Sequence, residues 1–452
     1  MRNLFQRLLG SIVLLGIALP TFTSIDTSQR DIVHSSWLVN PDTELMYRRL
    51  VEAANDQKPL FSAQLFYNYY RRNVLWKDHE GKIVPLEPHE TELKKVVRYN
   101  VDKDLCIYGI DLAHGSRIGW FSGVEAEKRR ATIISIVKKA WKEHKAIPSA
   151  SWHIENPYVP HAYFAMGNED RGCIYNAARS FNLQSGVSFM YPETHANVPR
   201  EIMEGTQYDD GKCLLDDDGH WLPSASSTKC GRARMEGDYD LDGYDSPRQW
   251  FDAALAEMCS LINEFIDEEG NGIPVILRLY HEPETRFAWW GCGVPKSDYA
   301  AFYRYTLERI RALCPHKNIL FAYCKDHYWD EHSYGDRYPG DDYVDIVGFD
   351  DYTICSSETS DNAVIERMRI VSRFAKNHNK VAALFETGNR TEYSRSKNFL
   401  SDNLYRCITA KGVHLGMVQI WSSFTTEGDE RVLNDYKRFL RKKRIQTVKT
   451  RK

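Results

Sequence analysis

Short runs of apolar and β-branched residues alternate along this chain with longer segments whose apolar positions recur every three or four residues. The runs with strand character are Leu60–Phe66, Leu105–Ile110, Ala146–Ser151, Pro274–Leu279, Asn318–Tyr323, Tyr343–Phe349, Val381–Phe385 and Leu415–Trp421. The clearest helical pattern follows Ser246. There Trp250, Phe251, Ala254, Leu255, Met258, Leu261, Ile262, Phe265 and Ile266 fall on one face, with Ser246 as N-cap, Pro247 in the first turn and Gly270 as the stop. Weaker helical patterns cover Val124–His144, Ser297–Cys314, Asn362–His378 and Ser396–Ala410. Strands separated by helix-length segments predict repeated β-α units around a parallel sheet, and eight of them predict an α/β fold of the (β/α)8 TIM-barrel type. A doubly wound open sheet is the alternative, but no GxGxxG follows the first strand.

The alternation breaks once. From Pro157 to Asp245 the chain is rich in Gly, Asp, Asn and Pro with little periodicity, which predicts a long insert after the third strand. Loops at the C-terminal ends of barrel strands form the rim of the active site, so this insert is expected to shape substrate access. The first residues, "MRNLFQRLLGSIVLLGIALPTFTS", place Arg2 and Arg7 ahead of an apolar run from Leu8 to Leu19 and then Pro20, the layout of a secretory signal. A single-pass anchor is the alternative, although that run is short for a bilayer span of about 20 residues. The expected organisation is a signal peptide over 1–24, one catalytic domain over 25–445 and a basic tail over 446–452, the basic stretch Arg438–Lys452 being read as the end of a solvated, fraying helix. Export would place the chain outside the cell, in the periplasm or at the cell surface, as a monomer without stable membrane insertion after cleavage.

Composition narrows the partners. A net charge of -3 offers no field for nucleic acid, whereas 11 Trp and 26 Tyr suit a surface that stacks on sugar rings. Ten scattered cysteines form no CxxC pair of the kind that zinc sites use, and Cys213 with Cys230 could close a loop.

Candidate chemistry concentrates in "VILRLYHEPETRFAWWGCG", Val275–Gly293. His281-Glu282 begins like a zinc-protease motif, but the second histidine is missing and Pro283 would break the required helix. Instead Glu282 ends an apolar run, the position that in a barrel faces the catalytic mouth. Glu386 ends the run Val381–Phe385 in the same way. Two carboxylates over one barrel mouth are the equipment of retaining glycoside hydrolysis, one as acid and then base, the other as nucleophile. Singly, a Glu at a strand end is more often a rim ion pair; the pairing, the strand count and the aromatics favour catalysis.

Several motifs together resemble glycoside hydrolase family 26: "RLYHEPETRFAWWG", with Arg-x-x-His-Glu at a strand end before a Trp-Trp-Gly turn, then "VNPDTELMYRRL", "YGIDLAHG", "SASWHIENP", "YVDIVGFDDYT", "LFETG" and "MVQIW". The resemblance runs from about Val39 to the last helix. It implies a TIM barrel that hydrolyses β-mannan-type polysaccharide with retention, endo-β-1,4-mannanase activity being the commonest in that family, and with no cofactor. It further implies Glu282 as acid/base, Glu386 as nucleophile, and His153 and Trp152 as contacts on the non-reducing side. Tyr352 would be bonded to the nucleophile and Trp421 would be the platform under the reacting sugar. Trp290 would lie on the leaving-group side, with His281 touching sugar or tuning the acid. Arg278 would support a neighbouring carboxylate through a charge-assisted bond. The chain departs from the family pattern at Glu284, Thr285, Phe287 and Ala288, where Asn, Gly, Trp and Phe are usual.

Within the same chemistry, a mannobiose-releasing exo enzyme, a mixed-linkage β-glucanase and a β-1,3-xylanase are alternatives, and a glycan-binding barrel without turnover is the alternative from another class. Asp238, Asp240 and Asp242 have the spacing of a calcium loop, but Gln249 stands where its closing Glu belongs, and an acidic turn before a helix N-terminus explains the same residues.

Overall fold

A strand buried on both faces needs apolar or small side chains throughout, and the eight apolar runs supply them. In the computed structural model they pair side by side, all parallel, into a closed barrel. The structure describes residues 40–64, 75–77, 83–85, 105–119, 123–154, 244, 247–284, 290, 296–355, 359–388, 398–420 and 430–447, all within the unit Ile32–Lys452.

Helix α1 (Pro41–Asn55) starts at Asn40, whose side chain accepts the Thr43 amide and donates to the Gly272 carbonyl. Strand β1 (Leu60–Gln64) follows, then a small antiparallel ladder of β2 (Leu75–Lys77) and β3 (Ile83–Pro85) outside the barrel. The repeating units are β4 (Ile107–Asp111) with α2 (Gly123–His144), then β5 (Ile147–Ser151) with α3 (Pro247–Asn263), and β6 (Val275–Arg278) with α4 (Lys296–Leu313). They continue with β7 (Ile319–Lys325) and the short α5 (Glu331–Gly335), then β8 (Ile346–Asp350) with α6 (Asp361–Asn377). Strand β9 (Val381–Glu386) precedes a π-helical turn (Phe399–Leu404) that runs into α7 (Tyr405–Ile408), and β10 (Met417–Ile420) precedes α8 (Glu430–Phe439). Pairing of β1 with both β4 and β10 closes the ring.

All eight expected strands are present, within a few residues of their sequence bounds. Helix α3 buries the expected Trp250, Phe251, Ala254, Leu255, Met258, Leu261 and Ile262, but it ends at Asn263. Gly270 is not its stop. It has φ +84° in a later turn, where Asp267 caps the backbone before Ile266 pairs with Gly272. The expected helix over Ser396–Ala410 is the π turn and α7 instead. The basic end is tied down rather than frayed where it is described: Gln446 receives the Phe61 amide at 3.0 Å and donates its own to Pro59 at 3.1 Å, and Ile445 and Thr447 are buried.

The insert apart from Tyr244, with Cys213, Cys230 and the calcium candidates Asp238, Asp240 and Asp242, lies outside the described residues, as do the proposed signal and Trp421. No helix among the described residues is long and apolar enough to cross a membrane.

Candidate active site

The fourth and seventh barrel strands, β6 and β9, carry the two glutamates to the same end of the barrel. Glu386 is the last residue of β9, and Glu282 lies four residues beyond the end of β6. Both are nearly buried, at 5% and 8% exposure. The turn carrying Glu282 is strained: Tyr280 has φ +47° and Glu282 φ +51°, a region that side-chain-bearing residues enter only when the surroundings over-determine them. Four bonds do so. Tyr299 Oη donates to the Tyr280 carbonyl at 2.7 Å, Tyr280 Oη pairs with Thr306 Oγ1 at 2.8 Å, Trp290 Nε1 donates to the His281 carbonyl at 2.8 Å, and the Glu282 amide donates to the Cys324 carbonyl at 3.2 Å.

Arg278 ends β6 with 2% exposure. One guanidinium nitrogen donates to Asp350 Oδ2 at 2.7 Å and another to Glu386 Oε1. Burial alone would lower its pKa, but the charges of Asp350 and Glu386 raise it further, so the guanidinium stays charged. Tyr352 Oη donates to the other Glu386 oxygen at 2.7 Å. Asp350 reaches Arg278 because a register shift between Phe349 and Asp350 sets it opposite Glu386, the usual use of a bulge at a barrel rim.

Glu282 has the opposite electrostatic character. Burial raises its pKa well above the ordinary value, and Asp350, Asp326 and Glu386 raise it further, with Arg278 opposing. One carboxyl is thus kept protonated while its counterpart is oriented by two donors, the separation of roles that acid-nucleophile catalysis needs.

Beside them lies a histidine pair. His153 Nδ1 bonds Asp111 Oδ2, while His153 Nε2 meets His281 Nε2 at 3.1 Å, with the rings edge to face at 4.6 Å. Burial, Arg278 and His153 all lower the His281 pKa, so it is neutral. Which of the two Nε2 atoms donates between the rings follows their tautomers. Burial pushes the Asp111 carboxyl upward, but the charge and hydrogen bond of His153 win and bring it to about 2.

The expected Arg278, His281, Glu282, Glu386, Tyr352 and His153 therefore converge. Trp152 and Trp290 are placed differently from expectation. They are 1% and 2% exposed, Trp152 packs on Phe251 of α3 and Trp290 on Tyr280 and His281, so neither offers an open face for a sugar. They support the strand ends from behind. Asp111 and Asp350 were not singled out in the sequence, although both are the last residue of a barrel strand, the same signal that marks Glu386. Glu284, the departure nearest the acid, lies 2.8 Å from the buried Lys325. Burial nevertheless lifts its pKa to about 7 against that pull.

Donor atoms of His281, Asp350 and Glu386 lie within 4.8 Å of one another, as a metal site would require. They do not fit a cation well: the Arg278 guanidinium already sits on an oxygen of each carboxylate and supplies the positive charge there.

The model of the family described as Glycosyl hydrolase family 26 matches residues 240–439, a span that contains both glutamates. A mannan endo-1,4-beta-mannosidase of Bifidobacterium adolescentis is 34% identical over 129 residues, 26% of this chain and 13% of that protein. One from Bacillus subtilis is 33% identical over 110 residues, 22% of this chain and 29% of that protein. The chain thus spans well under two thirds of the length of these relatives. Among solved structures, GH26C of a Muricauda species superposes with TM-score 0.62 at 19% identity, covering 92% of this chain and 94% of that one. A GH26 beta-mannanase of Bacteroides ovatus gives 0.59 at 18%, covering 91% and 96%. At such identities the likeness shows the barrel fold.

Proposed function

We propose that the chain is an enzyme of glycosyl hydrolase family 26, whose model matches residues 240–439, and that it hydrolyses internal β-1,4-mannosidic linkages of mannan, glucomannan or galactomannan with retention of anomeric configuration. The observation that carries this reading is the contrast between two strand-end carboxylates of one barrel mouth: Glu282 protonated through burial, Glu386 held by Arg278 and Tyr352. The name shared by the two relatives supplies the substrate class.

Glu386 attacks the anomeric carbon as Glu282 gives its proton to the departing glycosidic oxygen. Glu282, now a carboxylate, takes a proton from water, which attacks the glycosyl ester and releases the sugar and Glu386. Arg278 and Tyr352 aim the attacking oxygen, and His281, neutral and backed by His153 and Asp111, offers neutral hydrogen-bonding groups beside it. The N-terminal charge and hydropathy pattern of residues 1–24 supports export of the chain to where such polysaccharides are met.

The test is release of reducing ends from mannan. Glu386→Ala should lower it by more than a thousandfold, roughly the loss expected when a nucleophile is removed, while the folded state is retained. Full activity in that variant would refute the assignment. Early products decide the mode of action, a ladder of oligomers for internal cleavage or a single disaccharide for end cleavage, and proton NMR of the first-formed anomer decides retention.

A further inference from the structure

The segment that leaves β7 at the catalytic end, Asp326–Asp330, has no part in the mechanism above beyond the charge of Asp326 that acts on Glu282. Yet it carries the most exposed large apolar side chain among the described residues, Trp329 at 78%. The others, Leu45 and Val124, are aliphatic residues of helices α1 and α2. A solvated indole on a flexible loop would mean little, but this loop is fixed. The Trp329 and Asp330 amides both donate to Ser333 Oγ at 3.0 Å, the Ser333 amide returns to Asp330 Oδ1 at 2.7 Å, and Lys325 Nζ holds the Ser333 carbonyl at 2.6 Å. Tyr328, next to the indole, is 5% exposed and packs on Tyr334 and Phe349. The backbone is thus held against the barrel and the helix that follows while the ring stands in solvent, so that only the side chain itself has to be ordered when a flat apolar partner arrives.

Two polar groups accompany it. His327 is exposed, and its Nδ1 meets Asp326 Oδ2 at 2.6 Å. The Asp326 side chain is 11% exposed, and its other oxygen, Oδ1, has no hydrogen-bond partner among the described residues. Position in the ring gives the direction. Strand β6 has β5, with His153 beyond it, on one side and β7 on the other. The Glu282 amide is bonded to Cys324, two residues before Asp326. On the reading of His153 as a contact on the non-reducing side, the sugar that leaves with the proton of Glu282 meets the β7 side.

We propose that Asp326, His327 and Trp329 form a sugar subsite on the leaving-group side of the cleavage point, the Trp329 indole stacking on the apolar face of a β-linked hexose while Asp326 and His327 meet its hydroxyls. This rests on the mannan-hydrolase reading and extends it to chain-length preference.

The experiment compares the full chain with Trp329→Ala and Trp329→Phe on two substrates. One is mannohexaose, which reaches past the scissile bond. The other is an aryl β-mannobioside, whose leaving group is not a sugar. In Trp329→Ala the ratio of kcat/KM on mannohexaose to that on the aryl glycoside should fall by roughly three- to tenfold, the range of one aromatic contact, with most of it restored in Trp329→Phe. An unchanged ratio, including one in which both substrates suffer equally, overturns the subsite. A wild-type chain that turns over neither substrate, and whose tryptophan fluorescence does not respond to mannohexaose, overturns the function reading and the subsite with it. A wild-type chain active on the aryl glycoside whose ratio is insensitive to Trp329 overturns the subsite alone.

Discussion

The inside of this barrel is polar on two neighbouring arcs, and the arcs are built differently. On β10 and β1 the buried polar groups are neutral: Ser62 Oγ donates to Gln419 Oε1 at 3.0 Å, and Gln419 Nε2 to Gln64 Oε1 at 3.4 Å. Gly109 of β4 leaves room for them, since a Cβ there would stand 1.8 Å from Gln64 Oε1. On β6, β8 and β9 the buried polar groups are ionisable, with Arg278 between Asp350 and Glu386 and with burial raising the Asp350 pKa well above its ordinary value against the pull of Arg278. Amides and hydroxyls satisfy one another inside a protein at little net gain or loss. A buried charge triad loses several kcal/mol of hydration per ion and holds only while every partner is present. The neutral arc needs no purpose beyond closing the ring. The charged arc is hard to rationalise by stability, and it is the arc that holds the candidate nucleophile.

The strongest way to break that contrast is Arg278→Leu. It leaves Asp350 and Glu386 buried side by side without a cation, so the variant should lose about 3–5 kcal/mol of stability, the typical cost of removing one partner of a buried ion pair. Activity should fall further than the unfolded fraction explains, because Glu386 loses one of its two aiming donors. Urea unfolding together with kcat on mannan checks both. A variant as stable and active as wild type would make the charged arc as incidental as the neutral one.

Much of this was legible in the sequence, and the parts that were not share a cause. The strands were readable because burial on both faces demands continuous apolar runs, and the glutamates because they end those runs. Asp111 and Asp350 carried the same signal but sit where a register shift and a histidine partner, not composition, give them meaning. The π turn at Phe399–Leu404 is set from far away: Asp435 of α8 accepts the Leu400 amide at 2.7 Å and the Ser401 amide at 3.2 Å, drawing them off the helical ladder. The return of Gln446 to β1 is likewise a contact across nearly the whole chain. Trp152 and Trp290 were readable as important but not as buried, since an aromatic ring has the same apolar chemistry in a core and in a cleft.

A smaller effect sharpens the contrast by pH. The Glu282 pKa is raised in the folded chain by burial first and then by neighbouring carboxylates, from an ordinary value of 4.5. Above pH 4.5 the unfolded chain has lost this proton while the folded chain keeps it, so the folded state binds more protons and its stability falls as pH rises toward the folded pKa. Glu282→Gln removes that fall. The variant should gain on wild type by about 1.4 kcal/mol per pH unit above 4.5, while losing hydrolysis of mannan but much less of an aryl glycoside whose leaving group needs no proton. Denaturant midpoints at several pH values give the slope, and parallel curves for the two proteins would show that Glu282 is not held protonated.

The neutral arc predicts the smallest change. Ser62→Ala removes a single buried hydroxyl donor and leaves Gln419 Oε1 without it, so stability should drop by about 1 kcal/mol, the usual size for one uncharged hydrogen bond. The loss should not vary between pH 5 and 8, since Ser62, Gln64 and Gln419 do not titrate. Per folded molecule, kcat on mannan should match wild type, because the arc contacts neither glutamate among the described bonds. A loss of kcat exceeding the loss of folded protein would mean that the two arcs are coupled through the barrel, and that the amide layer of β1 and β10 sets the position of Glu386 on the adjacent β9.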